Sequence, residues 1–194
     1  MSNLAPLDGK VYYRAAFVAA DETADLMATL LCELDWHDED IMIAGRAVKV
    51  PRLICWHGDA NAIYRYSGVD HVPRPWTETL CILKTRIEKY CGRYFNSVLG
   101  NLYRNGQDSM GWHADKEKEL GSAPFIASLS LGEERLFKLK HIKSGVSLDL
   151  MLENGSLLLM AGSLQQHWRH CLPKSRTTKA ARINLTFRNV LPSS

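Results

Sequence analysis

The segment Arg182-Ile183-Asn184-Leu185-Thr186-Phe187-Arg188 alternates polar and apolar side chains without a break. Successive side chains of a β-strand point to opposite faces, so the alternation predicts a strand with one apolar and one polar face. In an isolated strand the polar face would lie in water. In a small β-roll the same face would line the central cavity, and the pattern alone leaves both interpretations open.

A period of two begins near Phe95 and continues through the second half of the chain. Turn signals such as Asn105-Gly106 and Asn154-Gly155 separate the alternating segments. The predicted strands cover residues 97–103, 126–131, 135–141, 147–152, 156–160 and 181–190.

The first half has a different pattern, with helical spacing of apolar residues. A short strand is predicted over 12–18, a helix whose N-cap is Asp21, a hairpin over 41–50 that turns at Ala44-Gly45, and a helix over 77–91 that Gly92 ends. The sequence therefore predicts an α+β fold, mainly β. It would be one domain over 1–194, with a double-stranded β-helix (jelly-roll) core at about 95–190 and N-terminal helices packed against one sheet.

Composition excludes several classes of protein. With 194 residues, 46% hydrophobic and 23% charged, the chain fits a soluble globular domain. It has no apolar run of membrane-spanning length, and its first residues lack the features of a secretory signal. Its five cysteines are an odd number without a Cys-x-x-Cys pair, which favours reduced thiols in a cytosol-like compartment.

Positive charge is concentrated in the second half, where residues 101–194 contain 13 Lys and Arg against 8 Asp and Glu. A basic surface of this kind suits an anionic partner such as nucleic acid. A basic face that only contacts water is an equally good interpretation.

His113-Ala114-Asp115 is a candidate pair of metal ligands, because residues two apart on a strand point to the same side. A distant histidine would complete the two-histidine, one-carboxylate set of a non-haem Fe(II) centre. The candidates for that third ligand are His167 and His170, and their spacing does not choose between them.

Further polar residues could form binding sites. Two arginines on one face of the 182–188 strand need anionic partners if they are buried, and a dicarboxylic acid would provide them. Asn101 and Tyr103 could donate hydrogen bonds to the same anion, or be polar residues at the edge of the core. In the aromatic, loop-like stretch 51–68, Tyr64 and Tyr66 could stack on bases or cover a core edge.

Taken together, three motifs resemble those of the AlkB family of Fe(II)/2-oxoglutarate-dependent dioxygenases, and most closely its DNA-repair demethylase branch. They are His113-x-Asp115, His170-Cys171-Leu172-Pro173 and the alternating segment from Arg182 to Arg188. The resemblance extends over about 50–190 and includes the stretch from Asn101 to His113.

The resemblance implies a role for each matching position. The iron ligands would be His113, Asp115 and His170, which selects His170 over His167. The 2-oxoglutarate contacts would be Asn101, Tyr103, Arg182, Thr186 and Arg188, with Arg182 on the distal carboxylate. The substrate contacts would be Tyr64, Tyr66 and Glu117, within a nucleotide-recognition region at about 50–75. Lys116 departs from close relatives, which have an acid there, and this puts the base preference in doubt.

The resemblance also implies an activity and its partners. A monomeric enzyme would use Fe(II), 2-oxoglutarate and O2 to demethylate bases such as 1-methyladenine and 3-methylcytosine in DNA, releasing succinate, CO2 and formaldehyde. It would have no membrane partner, and it would be cytoplasmic in a bacterium or nuclear in a eukaryote. The alternatives are the same chemistry on alkylated RNA or a protein side chain, or a β-roll that binds nucleic acid without catalysis.

Overall fold

A computed structural model of the protein describes residues 1–43, 46–66, 69–177 and 180–191, without the side chains of 41–43, 64–66 and 69–71. The predicted turn at Ala44-Gly45 lies outside the described residues. In these ranges the chain is mainly β, with two large antiparallel sheets. The strands are β1 (Lys10–Arg14), β2 (Asp40–Ile43), β3 (Arg46–Lys49), β4 (Leu53–Gly58), β5 (Tyr64–Tyr66), β6 (Val69–His71), β7 (Ser97–Tyr103), β8 (Met110–His113), β9 (Ile126–Gly132), β10 (Arg135–His141), β11 (Ser147–Leu152), β12 (Leu157–Ala161), β13 (Trp168–Leu172) and β14 (Arg182–Arg188). The helices are α1 (Ala20–Glu33), α2 (Glu78–Cys91) and the short α3 (Leu164–His167), with a 3-10 turn at Lys118–Leu120.

The larger sheet has the strand order β1-β12-β9-β14-β7-β4, and β14 lies near its centre. This strand pairs with β7 on one side and β9 on the other, with Arg182 opposite Tyr103 and Gly132. Its apolar residues Ile183, Leu185 and Phe187 are at most 1% exposed. Its polar residues are buried too, with Arg182 only 2% exposed. The interpretation in which the polar face lines an interior cavity is therefore confirmed.

The smaller sheet has the order β11-β10-β13-β8 and packs face to face with the larger one. Apolar residues of both sheets form a shared core, for example Ile126 and Leu158 from the larger sheet with Leu139 and Leu172 from the smaller. Near one end of this interface His113 of β8 pairs directly with His170 of β13. The interface between the sheets is thus apolar in one part and polar in another.

Helices α1 and α2 pack on the other face of the larger sheet. Leu30 of α1 and Leu80 and Ile87 of α2 belong to one core cluster with Leu185 and Phe187 of β14. This agrees with the predicted placement of the N-terminal helices against one sheet. The five cysteines are all free thiols, as expected from their number.

The predicted ends of α2 are confirmed. The Thr77 hydroxyl accepts a hydrogen bond from the Leu80 amide, and Gly92 ends the helix with a φ of 64°. The predicted cap of α1 is wrong, because α1 begins before Asp21 with Ala19 as its N-cap. The carboxylate of Glu22 accepts a hydrogen bond from the Ala19 amide, and this bond closes the first turn without a polar residue at the cap.

Two further expectations are corrected. Residues 51–68 are not a loop throughout, because they contain β4, a buried edge strand paired with β7, and β5. The first strand covers Lys10–Arg14 instead of 12–18, because residues 10–14 pair with β12 while 15–18 lead into α1. Among the described residues no helix is both long and apolar enough to cross a bilayer.

Candidate active site

Three potential metal ligands converge where β8 and β13 pair. The ligand atoms of His113, Asp115 and His170 all lie within 4.8 Å of one another. The two histidine rings meet edge to face with centroids 4.2 Å apart, and His170 Nε2 lies 3.9 Å from an oxygen of Asp115. The strand ends at His113, so Asp115 reaches this cluster from the following loop and not, as the spacing argument assumed, from the same strand.

Both histidines are prepared to bind a cation through a ring nitrogen. Nδ1 of His113 lies 2.9 Å from the carbonyl oxygen of Gly111. A carbonyl only accepts, so Nδ1 carries a proton, and in the neutral ring Nε2 is the nitrogen that can bind a metal. Burial lowers the pKa of His170 to about 3, with a further lowering by His113. His170 is therefore a neutral imidazole at physiological pH, the form that ligates metals.

Asp115 is held in place through both its backbone and its side chain. The backbone amide of Asp115 donates to Oε1 of the buried Gln165 at 3.0 Å, and its side chain accepts a hydrogen bond from Arg188 Nη2 at 3.0 Å. Burial, the largest single effect, raises the pKa of Asp115, but Arg188, His170 and His113 together lower this pKa by more than burial raises it. The carboxylate is thus charged and oriented before any ligand arrives.

His167 lies in a different cluster. It ends α3, one residue before β13, and its ring groups with Asp8 and His141 instead of with His113. Of the two histidines that the sequence left open, the structure brings His170 to Asp115.

A cavity between the two sheets adjoins these ligands. It is lined by all five residues expected to contact 2-oxoglutarate: Asn101, Tyr103, Arg182, Thr186 and Arg188. His113, Asp115 and His170 line the same cavity. The structure therefore brings the predicted metal ligands and the predicted anion contacts into one compartment.

Arg182 is the most unusual residue of this cavity. It is only 2% exposed, and Nη2 donates to the Ser130 hydroxyl at 2.9 Å. Nε and Nη1 make no hydrogen bond within the part of the chain that the structure describes. Burial lowers the pKa of Arg182 to about 10, against an opposing contribution from Tyr103, so the group stays protonated at neutral pH. Burying a cation whose donors lack acceptors raises the free energy of the folded protein unless an anion pairs with it and accepts those hydrogen bonds.

The other predicted contacts have partners within the protein. Asn101 Oδ1 accepts from Arg52 Nε at 2.6 Å, and the Thr186 hydroxyl donates to Asn184 Oδ1 at 3.0 Å. These bonds orient Asn101 and Thr186 along the cavity wall. The role of Arg52 was not predicted. Arg52 is buried just before β4, where Asn101 on the neighbouring strand β7 accepts its hydrogen bond.

A second and larger pocket, of about 340 Å³, shares His113, Asp115 and Arg188 with the first. Its walls are largely apolar and include Trp56 and Trp112, neither of which was predicted. Alternation would not have found them, because Trp56 lies on an edge strand and Trp112 is 49% exposed. A flat ring could enter this pocket and approach His113 from outside.

Glu117 lines the larger pocket, as expected of a substrate contact. Its Oε2 is buried and makes no hydrogen bond among the described residues. Lys116, in contrast, is exposed and donates to the carbonyl oxygen of Gln166 at 3.3 Å. Tyr64 and Tyr66 lie on β5, and their side chains lie outside the described part of the chain.

The donor set fits ferrous iron. Two imidazoles and one carboxylate converge, and the two cavities that they line adjoin the cluster. The nearby Arg182 has two donor nitrogens, Nε and Nη1, without a partner among the described residues, and a carboxylate is a suitable acceptor for them. The residues present therefore fit both an iron ion and a small dicarboxylate.

Comparison with known families agrees with this fit. A family model described as "2OG-Fe(II) oxygenase superfamily" matches residues 10–188. Among solved structures, one titled "The structure of OsALKBH1" has a TM-score of 0.70 at 15% identity and covers 94% of this chain and 99% of that chain. A 2OG-Fe(II) oxygenase family oxidoreductase from Burkholderia pseudomallei has a TM-score of 0.62 at 14% identity, covering 96% and 89%. At these identities, both show a shared fold.

Curated relatives are more similar in sequence. The proteins named alpha-ketoglutarate-dependent dioxygenase alkB homolog 3 from Bos taurus and Homo sapiens are each 37% identical over 91% of this chain and 64% of their own length. The DNA oxidative demethylase ALKBH2 of Mus musculus is 37% identical over 79% of this chain and 67% of its own length. The chain thus spans slightly less than two thirds of the alkB homolog 3 proteins.

Proposed function

Because the chain belongs to the 2OG-Fe(II) oxygenase superfamily, we propose that it is a dioxygenase that removes methyl groups from nitrogen atoms of nucleobases in DNA. The observation that carries the proposal is one cavity that contains the cluster of His113, Asp115 and His170 together with the buried Arg182. Two donor nitrogens of Arg182 have no hydrogen-bond partner among the described residues. A pocket large enough for a base opens onto the same cluster.

The proposed ligands of Fe(II) are His113, Asp115 and His170, and Arg182 binds the distal carboxylate of 2-oxoglutarate. Asn101, Tyr103 and Thr186 form the walls around this co-substrate, and Arg188 holds Asp115 in the ligating orientation. When bound, Fe(II) and 2-oxoglutarate with O2 supply the oxidation that turns an N-methyl group into an unstable hydroxymethyl group, with succinate and CO2 as co-products and formaldehyde released afterwards.

The protein's own residues position the reactants and exclude water. Phe137, Leu152, Met160 and Leu172 give the co-substrate cavity an apolar lining. In such a lining the charged groups attract each other more strongly than in water, and a bound dicarboxylate is shielded from solvent. Because His170 is neutral, its ring does not have to lose a proton before it binds the metal.

The proposed substrate is a cationic alkylated base such as 1-methyladenine or 3-methylcytosine. A base inside a duplex cannot reach the pocket, so it must be flipped out or presented in a single strand. Glu117 would face the positive charge of the base, and Tyr64 and Tyr66 on β5 would stack on it. Related proteins named for DNA oxidative demethylation support DNA as the polymer, with alkylated RNA as the second candidate.

We infer that the two packed sheets form a double-stranded β-helix (jelly-roll) core at about 95–190. The whole chain would act as one domain and as a monomer. It would work in the cytoplasm of a bacterium or in the nucleus of a eukaryote.

The test of the proposal is formaldehyde release from matched methylated single- and double-stranded DNA and RNA, with and without Fe(II) and 2-oxoglutarate. We expect release from methylated DNA only when both cofactors are present. Release from methylated RNA alone would favour the second candidate. If succinate forms with none of the oligonucleotides, the proposed substrate class is wrong.

Glu117→Gln is expected to raise KM for a 3-methylcytosine oligonucleotide about 10-fold, because a neutral amide no longer compensates the cationic base. The KM for 2-oxoglutarate should stay unchanged. Glu119→Gln is the matched control, since Glu119 lies two residues further along the chain and outside the described pocket lining. Equal KM values for Glu117→Gln and the control would contradict the role of Glu117.

Gln165→Leu is expected to weaken metal binding by about 10- to 100-fold, because the Asp115 amide loses its acceptor and the loop that carries this ligand loosens. The measurement is a Co(II) titration followed by visible absorption, which does not depend on turnover. Gln166→Leu is the control, since Gln166 is exposed and its side chain donates to the Ser122 carbonyl and not to the Asp115 loop. Unaltered Co(II) affinity in Gln165→Leu would show that the hydrogen bond has no positioning role.

A further inference from the structure

A second cluster of metal-ligand residues lies outside the proposed active site. The ligand atoms of Asp8, His141 and His167 are all within 4.8 Å of one another. They come from the N-terminal segment, from the last residue of β10 and from the last residue of α3. We propose that this cluster is a binding site for a divalent transition metal of the zinc class, separate from the iron site.

His141 is the fixed ligand of this cluster. It is 4% exposed, its ring packs edge to face on Trp168, and Nδ1 lies 2.8 Å from the Ser144 hydroxyl oxygen. When Nδ1 donates its proton to that oxygen, Nε2 carries a lone pair. A metal-binding histidine is commonly held in this way through its second nitrogen.

Asp8 faces that nitrogen. Its Oδ2 lies 3.1 Å from Nε2 of His141. With Nδ1 protonated, both atoms are acceptors, and two acceptors at this separation require a cation between them. In the other ring tautomer a proton fills the role, and the Ser144 amide donates to Nδ1. A metal and a proton are thus the two possible occupants.

His167 favours the metal. Its ring lies nearly parallel to that of His141, with centroids 6.2 Å apart, and makes no hydrogen bond within the described ranges. A shared proton needs only two partners, whereas a zinc-class ion takes three or four nitrogen and oxygen ligands. Two imidazoles, one carboxylate and a water molecule at the exposed Asp8 side would complete a tetrahedral set.

The N-terminal segment is built to present Asp8. The indole nitrogen of Trp168 donates to the carbonyl oxygens of Leu7 and Asp8 at 3.1 Å each. Asp8 itself has a φ of 35°, and a Cβ at Gly9 would lie only 2.7 Å from Cα of Leu164. The turn is therefore pressed against the start of α3, and a bound ion would link the N-terminal segment to the smaller sheet.

The test counts zinc ions per chain by equilibrium dialysis and elemental analysis in four proteins. The second site is removed by Asp8→Asn with His167→Gln, because Asn tolerates the backbone of residue 8 and neither side chain is in the buried core. The first site is removed by His113→Ala. We expect two ions in the unmodified protein, one in each single-site protein and none when all three substitutions are combined.

His37→Gln is the matched control, since His37 is an exposed histidine beside an acid, Asp35, and should leave two ions bound. In the His113→Ala protein, zinc should raise Tm by roughly 5 °C, and the further removal of the second site should abolish this rise. Equal zinc counts in the unmodified protein and in the Asp8→Asn, His167→Gln protein would overturn the proposal and leave a hydrogen bond as the link between Asp8 and His141.

Discussion

His170→Ala is expected to reduce demethylation by at least about 1000-fold, whereas His167→Ala retains activity within a few-fold of the unmodified enzyme. Loss of one of three protein ligands removes several kcal/mol of metal-dependent stabilisation of the transition state. The two histidines are three positions apart, yet only His170 lies beside Asp115. Comparing these two variants therefore distinguishes a metal ligand from a nearby histidine that does not bind the metal.

The measurement is the single-turnover rate of formaldehyde release at saturating Fe(II) and 2-oxoglutarate. Since His170 is buried, circular dichroism must show that His170→Ala is folded. His113→Ala provides a second test of the same centre, because His113 is only half-buried. A normal rate in His170→Ala would mean that the ligand set is wrong and that His167 should be tested as the third ligand.

Arg182→Met is expected to raise the KM for 2-oxoglutarate about 100- to 1000-fold and, at the same time, to raise the Tm of the protein without co-substrate. The KM rises because a buried, hydrogen-bonded charge pair is lost, which costs about 3–5 kcal/mol. The Tm rises because Arg182 is buried with two donors that have no partner among the described residues, which destabilises the free protein. An apolar side chain of similar length removes this destabilisation.

Steady-state kinetics with varied 2-oxoglutarate and a thermal melt of the free protein measure these two effects. Arg169→Met is the control, because Arg169 is exposed on β13 and should change neither quantity strongly. An unchanged KM in Arg182→Met would contradict its assignment to the distal carboxylate. A lower Tm would show that Arg182 stabilises the free fold by contacts other than the proposed anion.

Strands with one apolar face were predictable from the sequence. The ranges of β7, β10 and β11 agree with the prediction. In β10 and β11 the alternation matches one more deeply buried face, whereas β7 is buried along nearly its whole length. β4 was missed because it is an edge strand with buried aromatic and polar residues, so its burial does not follow a period of two. Both faces of β14 are buried because a second sheet packs against the sheet that contains it. The local sequence pattern does not indicate the presence of that second sheet.

The candidate site was predictable to a similar extent. The motif residues from Asn101 to Arg188 do line one cavity, since the ladder that pairs β14 with β7 sets Arg182 opposite Tyr103. Gln165, Arg52 and the pocket tryptophans were not found, because their roles depend on contacts between segments far apart in sequence. The cluster of Asp8, His141 and His167 was missed for the same reason, because Asp8 lies more than a hundred residues before the two histidines.

The central claim is that His113, Asp115 and His170 hold one ferrous ion beside a dicarboxylate site at Arg182. Its most direct test is the visible absorption of the purified protein under anaerobic conditions, with Fe(II) and then 2-oxoglutarate added. We predict a metal-to-ligand charge-transfer band that saturates at one Fe(II) per active site and is absent in Asp115→Ala. Failure to take up iron, or uptake without a band when 2-oxoglutarate is added, would contradict the account.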